Sequence, residues 1–302
     1  MIPVPKIQSL MDACAAFEHT IVDLMVRMAP GIVVFSCVDG VFQRLPRSKV
    51  ARAVSRLREL GPRETAFVLC SGKTRAELEL VLQQLEVCHP FVSEDGGGLY
   101  VPEGYFSFDV PDARRVAGYQ VVEFGRPYAD VVGRLRRAAA RSSIRILGFS
   151  DMSIEQVAHV CGLPPLQAQL AKQREYVEPF RMIDPSPAAR ARLCKALEGV
   201  NLRCARGESF DRVGSPVDID VCVTLLRSLY KRANPAVMTA GVAHASSHEV
   251  LRNIVDCHVI VPDDTGSDEI DVVDWAGAIV EAVQELRRRR ADGARLSASD
   301  LP

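Results

Sequence analysis

At 302 residues the chain is long enough for one large domain or two modest ones, and 48% apolar with 25% charged content is that of a soluble globular protein. With 37 basic against 38 acidic residues the formal charge is −1, so no global field draws it to nucleic acid or to a membrane. No apolar run approaches the roughly 18 residues of a spanning helix, the N-terminus lacks a signal segment, and the 9 cysteines form no C-x-x-C pair, so a cytoplasmic protein with reduced thiols is expected.

Residues 5–29 place Ile7, Leu10, Cys14, Phe17, Ile21, Leu24 and Met28 at spacings of three and four. That predicts an amphipathic helical extension over 1–29, packed on its own domain or pairing with a second copy or a protein partner. Gly31 to Phe42 follows as GIVVFSCVDGVF, with Ile32 to Phe35 a buried parallel strand that ends in a turn on Asp39-Gly40. Val50, Ala53, Val54, Leu57 and Leu60 share one helical face. Thr65 to Cys70 is the next buried strand, and Ser71-Gly72-Lys73-Thr74 leads into a helix with Leu78, Val81, Leu82 and Leu85 inward. Strand, helix, strand, turn, helix begins a doubly wound parallel α/β sheet, whose ligands sit at the carboxyl ends of the strands. Cys37, Asp39 and Ser71 therefore face one crevice, although a serine ahead of a helix is also an ordinary N-cap.

Phe91 to Pro102 carries three consecutive glycines, a tight turn between short strands. From about 106 to 215 the pattern becomes α+β. Strands read at Tyr119 to Phe124, Ile144 to Phe149, Glu175 to Met182, Val200 to Arg206 and Phe210 to Val213. Helices read at Tyr128 to Ala140, Ser153 to Val160, Pro165 to Ala171 and Ala188 to Leu197. This block reads as an inserted cap between the two halves of the core, 30–105 and 216–290. The parallel pattern then returns with a helix on Val221, Cys222, Leu225, Leu226 and Leu229 and a strand at Ala236 to Ala240. A helix at His248 to Val255, a strand at Val259 to Val261 and a final helix at Trp275 to Arg287 complete it. Arg287 to Arg290 read as a charged helix end fraying into a polar tail, 291–302.

The strand ending in D-x-D-G is similar to the nucleophile strand of the haloacid dehalogenase (HAD) superfamily, with Cys37 at the place of the first Asp. Further strings resemble the mannosyl-3-phosphoglycerate phosphatases of that superfamily: Ser71-Gly-Lys-Thr-Arg-Ala-Glu, Ser93-Glu-Asp-Gly-Gly-Gly, Gly148-Phe-Ser-Asp-Met-Ser, Arg174-Glu-Tyr-Val-Glu-Pro-Phe, Val255-Asp256 and Trp275. The resemblance spans roughly residues 30–285 and implies a HAD-like core with a C2-type cap. That cap would close over the crevice and hold the glycerate and sugar parts of a substrate. It implies general acid/base work for Asp39 and a phosphoryl hydrogen bond for Ser71, and it puts Arg174, Glu175 and Glu178 in a ligand-contacting string.

The same resemblance marks the departures. Cys37 stands for the aspartyl nucleophile and Ile219 for the phosphate-neutralising lysine, for which Lys73 or Lys231 is an alternative. Ala243 and Ser247 stand for the two Mg²⁺-binding aspartates. The family's G-G-R-F turn reads Gly207-Glu-Ser-Phe210 and its S-E-N-G reads Ser93-Glu-Asp95-Gly. Loss of a nucleophile alone costs on the order of 10⁶ in kcat in a well-studied hydrolase. Cys37 to Arg44 is C-x6-R, one residue longer than a cysteine phosphatase loop, and includes an acidic Asp39 that raises the thiol's pKa. His244 and His248 are an i,i+4 pair without a third ligand of matching spacing.

The expectation is thus a pseudophosphatase. It would bind a phosphorylated sugar acid or similar anion without a metal, through Ser71, Lys73 and loop N–H groups with the cap string, or act as a regulatory protein. One alternative is an active sugar-phosphate phosphatase with a rebuilt site, the case in which Mg²⁺ is expected. The other is a structural subunit using residues 5–29 as its contact, as a homo-oligomer or with a protein partner.

Overall fold

The computed structural model describes residues 30–37, 47–61, 64–207, 209–244, 251, 254–261 and 272–299. The helix expected over 5–29, Asp39, Ser247 and His248 lie outside the described residues, as does most of the helix expected at His248 to Val255.

Strand β1 (Ile32–Cys37) is buried at every position, as a continuous apolar strand is when both faces of its sheet are covered. It leads through α1 (Arg47–Arg58) to β2 (Thr65–Cys70) and through α2 (Arg75–Leu85) to β3 (Phe91–Ser93). After the excursion described below, α7 (Ile219–Ala233), β11 (Met238–His244), β12 (Cys257–Val261) and α8 (Val272–Ser299) return to the same sheet. The main sheet has eight strands in the order β12-β11-β1-β2-β3-β4-β6-β5. The first five run parallel, and β4 (Gly98–Pro102), β6 (Tyr119–Glu123) and β5 (Arg114–Val116) extend them antiparallel. Strands β2 and β3 follow β1 on one side while β11 and β12 lie on the other, so β1 is where the strand order reverses. Crevices at such switch points take ligands.

Alternation along β1 divides the core. Ile32 and Val34 pack with Val54, Leu57, Leu82 and Ile279 of α1, α2 and α8. Val33, Phe35 and Cys37 pack on the opposite face with Cys222, Val223 and Leu226 of α7. A second sheet, antiparallel and four-stranded, has the order β7-β8-β10-β9. Its strands are β7 (Ile146–Gly148), β8 (Glu178–Met182), β10 (Asp211–Gly214) and β9 (Arg203–Ala205). Helices α3 (Tyr128–Arg141) and α6 (Pro187–Glu198) bury Val131, Leu135, Leu193 and Leu197 against Phe180, Met182 and Val213 on one face of it. Helices α4 (Ile154–Cys161) and α5 (Pro165–Ala171) form a smaller cluster with Phe149 and Met152.

Two expectations change. The cap expected over 106–215 gives up its first strands, because β5 and β6 pair on the free edge of β4, with Pro102 opposite Tyr119 and Gly98 opposite Glu123. Tyr119 then meets Phe91 and Tyr100 edge-on at 5.5 and 5.8 Å, which anchors the added strands to the core. The separate cap elements begin at α3. The final helix, expected to fray after Arg287, continues to Ser299. Its arginines are bound: Arg287 donates to the Leu60 carbonyl at 2.8 Å, Arg289 to that of Asp256 at 2.8 Å and Arg290 to that of Gly31 at 2.7 Å. These carbonyls sit on loops around the core, so the basic run clamps the helix down. Among the described residues no helix is long and apolar enough to cross a membrane.

Candidate functional site

The carboxyl ends of β1, β2 and β11 form the floor. Cys37 pairs in register with Cys70, and both thiols are buried on the α7 face. The end of β1 is held from the other face by the Trp275 indole, which donates to the Ser36 hydroxyl at 2.6 Å. In β11, Val242 and Ala243 are fully buried apolar positions, and Leu251 packs so close that a Cβ on Gly241 would lie 3.0 Å from the Leu251 Cβ. The place the resemblance gives to a metal-binding carboxylate is therefore core. Among the described residues no group of three or more metal-ligating side chains gathers. The two described positions, a thiol at 37 and a methyl at 243, offer no hard oxygen ligand of the kind Mg²⁺ takes.

Ser71 lies just past β2 and is fully buried. Its N–H donates to the Val92 carbonyl, its carbonyl accepts from Asp95 N–H, and its hydroxyl accepts from Lys73 N–H, each at 3.1 Å. It is not the N-cap of α2. That role belongs to Thr74, whose hydroxyl accepts from Glu77 N–H at 3.2 Å while the Glu77 carboxylate accepts from Thr74 N–H at 2.9 Å, a capping box. Lys73 extends beside it, its Nζ 3.8 Å from Glu77. Ile219 opens α7 against Gly96, where a Cβ would lie 3.1 Å from the Ile219 nitrogen, so no cation stands at the lysine position. Lys231, twelve residues along α7, is about 18 Å further on at 1.5 Å per residue and cannot serve there.

The cap string meets the core at this loop. Arg174 donates from Nη1 to the Gly72 carbonyl at 2.7 Å and from Nε to the Ala171 carbonyl at 2.9 Å, and the Thr74 hydroxyl donates to the Leu170 carbonyl at 3.0 Å. Glu94 of the Ser93-Glu-Asp-Gly turn is buried, and its carboxylate accepts from the backbone N–H groups of Glu175, Tyr176 and Val177 at 2.8, 3.0 and 2.6 Å. Burial pushes the Glu94 carboxyl up, against the opposing pull of Arg174 and those three amides. The glycines seat the string: a Cβ at Gly97 would fall 2.5 Å, and one at Gly125 2.7 Å, from the Cβ of Tyr176.

Glu175 accepts from Arg75 Nε at 3.3 Å and from the Tyr100 hydroxyl. Glu178 turns inside the cap instead, accepting from the Ser150 N–H and hydroxyl at 3.0 and 2.6 Å and from the Tyr128 hydroxyl. Of the three cap residues expected to contact a ligand, Arg174 and Glu175 thus line the core–cap seam, and Glu178 braces the cap.

One contact across the seam was not singled out by the sequence. Arg212 of β10 places Nε 2.9 Å from Asp95 Oδ2, and a Cβ on Gly72 would lie 3.3 Å from Arg212 Nη1. Its neighbours Asp211 and Val213 are buried on the helix side of the cap sheet, Asp211 against Arg190 and Val213 in the cap core. Strand alternation turns Arg212 to the other side. The readable signal was the strand at Phe210 to Val213. Which face meets the core was not readable.

No family model matches the chain. A glucosyl-3-phosphoglycerate/mannosyl-3-phosphoglycerate phosphatase of Methanococcoides burtonii is 28% identical over 264 residues, 83% of this chain and 97% of that protein. A mannosyl-3-phosphoglycerate phosphatase of Pyrococcus furiosus is 29% identical over 231 residues, 76% of this chain and 91% of that one. Among solved structures, a phosphatase of the HAD superfamily from Bacteroides thetaiotaomicron aligns with a TM-score of 0.52 at 12% identity, over 85% of this chain and 95% of its own. The architecture is therefore a HAD core with a C2-type cap. In sequence the chain is similar to the mannosyl-3-phosphoglycerate phosphatases along most of its length.

Proposed function

We propose that this protein recognises a phosphorylated glycosyl-glycerate, of the mannosyl- or glucosyl-3-phosphoglycerate kind, between core and cap, and that it does not hydrolyse it through an aspartyl-phosphate. The observation that carries this reading is the contrast at the crevice floor. The Ser71 turn, Lys73, Arg174 and Glu175 lie along the core–cap seam, which supports a ligand site there, while position 37 is a buried thiol and position 243 a buried methyl. Phosphoryl transfer rests on positioning and on neutralising charge. The first is retained, and the second lacks both the lysine and the carboxylates that would hold a metal.

The relatives named above favour a second reading, phosphatase activity at a rebuilt site, since they match along nearly the whole of their length. Phosphate release separates the two. With mannosyl-3-phosphoglycerate and excess Mg²⁺, the purified chain is expected to release no phosphate above a buffer blank. Turnover that survives Cys37→Ala and is lost in Asp39→Ala would establish the hydrolase and sink the binding-only reading.

A further inference from the structure

We infer that Arg212 is the cation that neutralises the bound anion, delivered from the cap in place of the lysine missing at Ile219, and that Asp95 is the counter-ion it exchanges for that anion. The inference rests on the reading above that the crevice takes a phosphorylated ligand.

Among the described residues, little positive charge is left to offer at this point. Ile219 is apolar, Lys73 is drawn toward Glu77 at 3.8 Å, and Arg174 is spent on the Gly72 and Ala171 carbonyls. Arg212 is a second cap guanidinium that reaches the Ser71-Gly72 turn, and among the described residues no backbone carbonyl there is its acceptor. The space a Cβ would need at Gly72 is already bounded by Arg212 Nη1 at 3.3 Å and Asp95 Oδ1 at 2.9 Å. The guanidinium therefore lies one residue from the hydroxyl that the resemblance assigns to the phosphoryl group. Glycine at 72 is what admits the approach.

The hold of Asp95 on Arg212 is loose. Nε sits 2.9 Å from Oδ2 but lacks hydrogen-bond alignment, and the two side chains keep 37% and 29% of their surface exposed. An ion pair of that exposure is weak. A phosphate offers a guanidinium parallel acceptors in a planar fork, the geometry that favours Arg over Lys. Ligand entry would swap an unaligned carboxylate for an aligned phosphate. Because Arg212 belongs to the cap sheet and Ser71 to the core, the same exchange would fasten the cap over the ligand.

The test is titration calorimetry of the full chain with mannosyl-3-phosphoglycerate and, separately, with inorganic phosphate, both in EDTA. Arg212→Gln is expected to weaken binding of both by about tenfold or more, Arg212→Lys to recover part of the loss, and Asp95→Asn to tighten binding several-fold. If Arg212→Gln and Arg212→Lys bind as tightly as wild type while Ser71→Ala does not, the crevice reading survives and this assignment is wrong. An Asp95→Asn that weakens binding as much as Arg212→Gln would make the pair structural and also overturn it. Absence of binding by the wild type to either probe would instead remove the underlying function.

Discussion

Position 37 decides what chemistry the crevice can support. A thiol there is packed among apolar neighbours and paired in register with Cys70. Restoring the carboxylate alone does not restore the reaction, because Ala243 remains core and Ile219 remains uncharged. Cys37→Asp is therefore expected to show no phosphate release with Mg²⁺ and mannosyl-3-phosphoglycerate. Release by that single variant would mean the metal site is already formed. The departure at 37 was readable because it falls inside the D-x-D-G strand; that at 243 was read from the strand and Leu251 on its two sides, and that at 219 on the thinnest alignment of the three. The role of Arg212 was not readable, since its partner Asp95 is more than a hundred residues away and no local pattern links them.

At the scale of elements, the seam between core and cap depends on Glu94. Three backbone amides of the Arg174 string end on its carboxylate, and a buried amide left without an acceptor costs about 1–3 kcal/mol. Glu94→Ala is expected to lose ~3 kcal/mol or more in urea unfolding, and Glu94→Gln, which keeps an acceptor of similar size, to lose less. Equal losses for the two would show that the carboxylate charge, rather than acceptance of these amides, is what matters. The sequence displayed both strings, yet their union depends on backbone groups some eighty residues apart, which carry no side-chain signature. The arginine run of α8 misled for the same reason. Locally it reads as a solvated helix end, while its acceptors are carbonyls on distant loops.

Across the whole molecule, acid sensitivity follows from a polar cluster buried in the core. His89 lies between Phe67 and Tyr105, its Nδ1 3.1 Å from the Tyr105 hydroxyl, which lies 2.9 Å from that of Tyr230. Burial pushes the His89 pKa down from 6.5 to about 4. The native fold holds it neutral, and the unfolded chain takes up a proton below pH 6.5. Its contribution is thus complete above that pH and is lost as pH falls through 4. The loss is about 3 kcal/mol at 1.36 kcal/mol per pKa unit. Urea midpoints should drop between pH 7 and pH 4, and less steeply in His89→Phe. Parallel slopes would remove His89 from the account. The parallel core was readable because buried strands are apolar along their length and their helices are periodic. The sheet assignment of β5 and β6 was not, since an edge strand's partner is fixed by tertiary pairing.

The central claim is recognition of a phosphorylated glycosyl-glycerate without a metal, and it is met most directly by titrating mannosyl-3-phosphoglycerate into the intact chain in EDTA. Saturable binding at one site per chain, unchanged when Mg²⁺ is added in excess, is the predicted result. Binding that appears only with Mg²⁺ would contradict it and place a working metal centre where Ala243 and Cys37 argue against one.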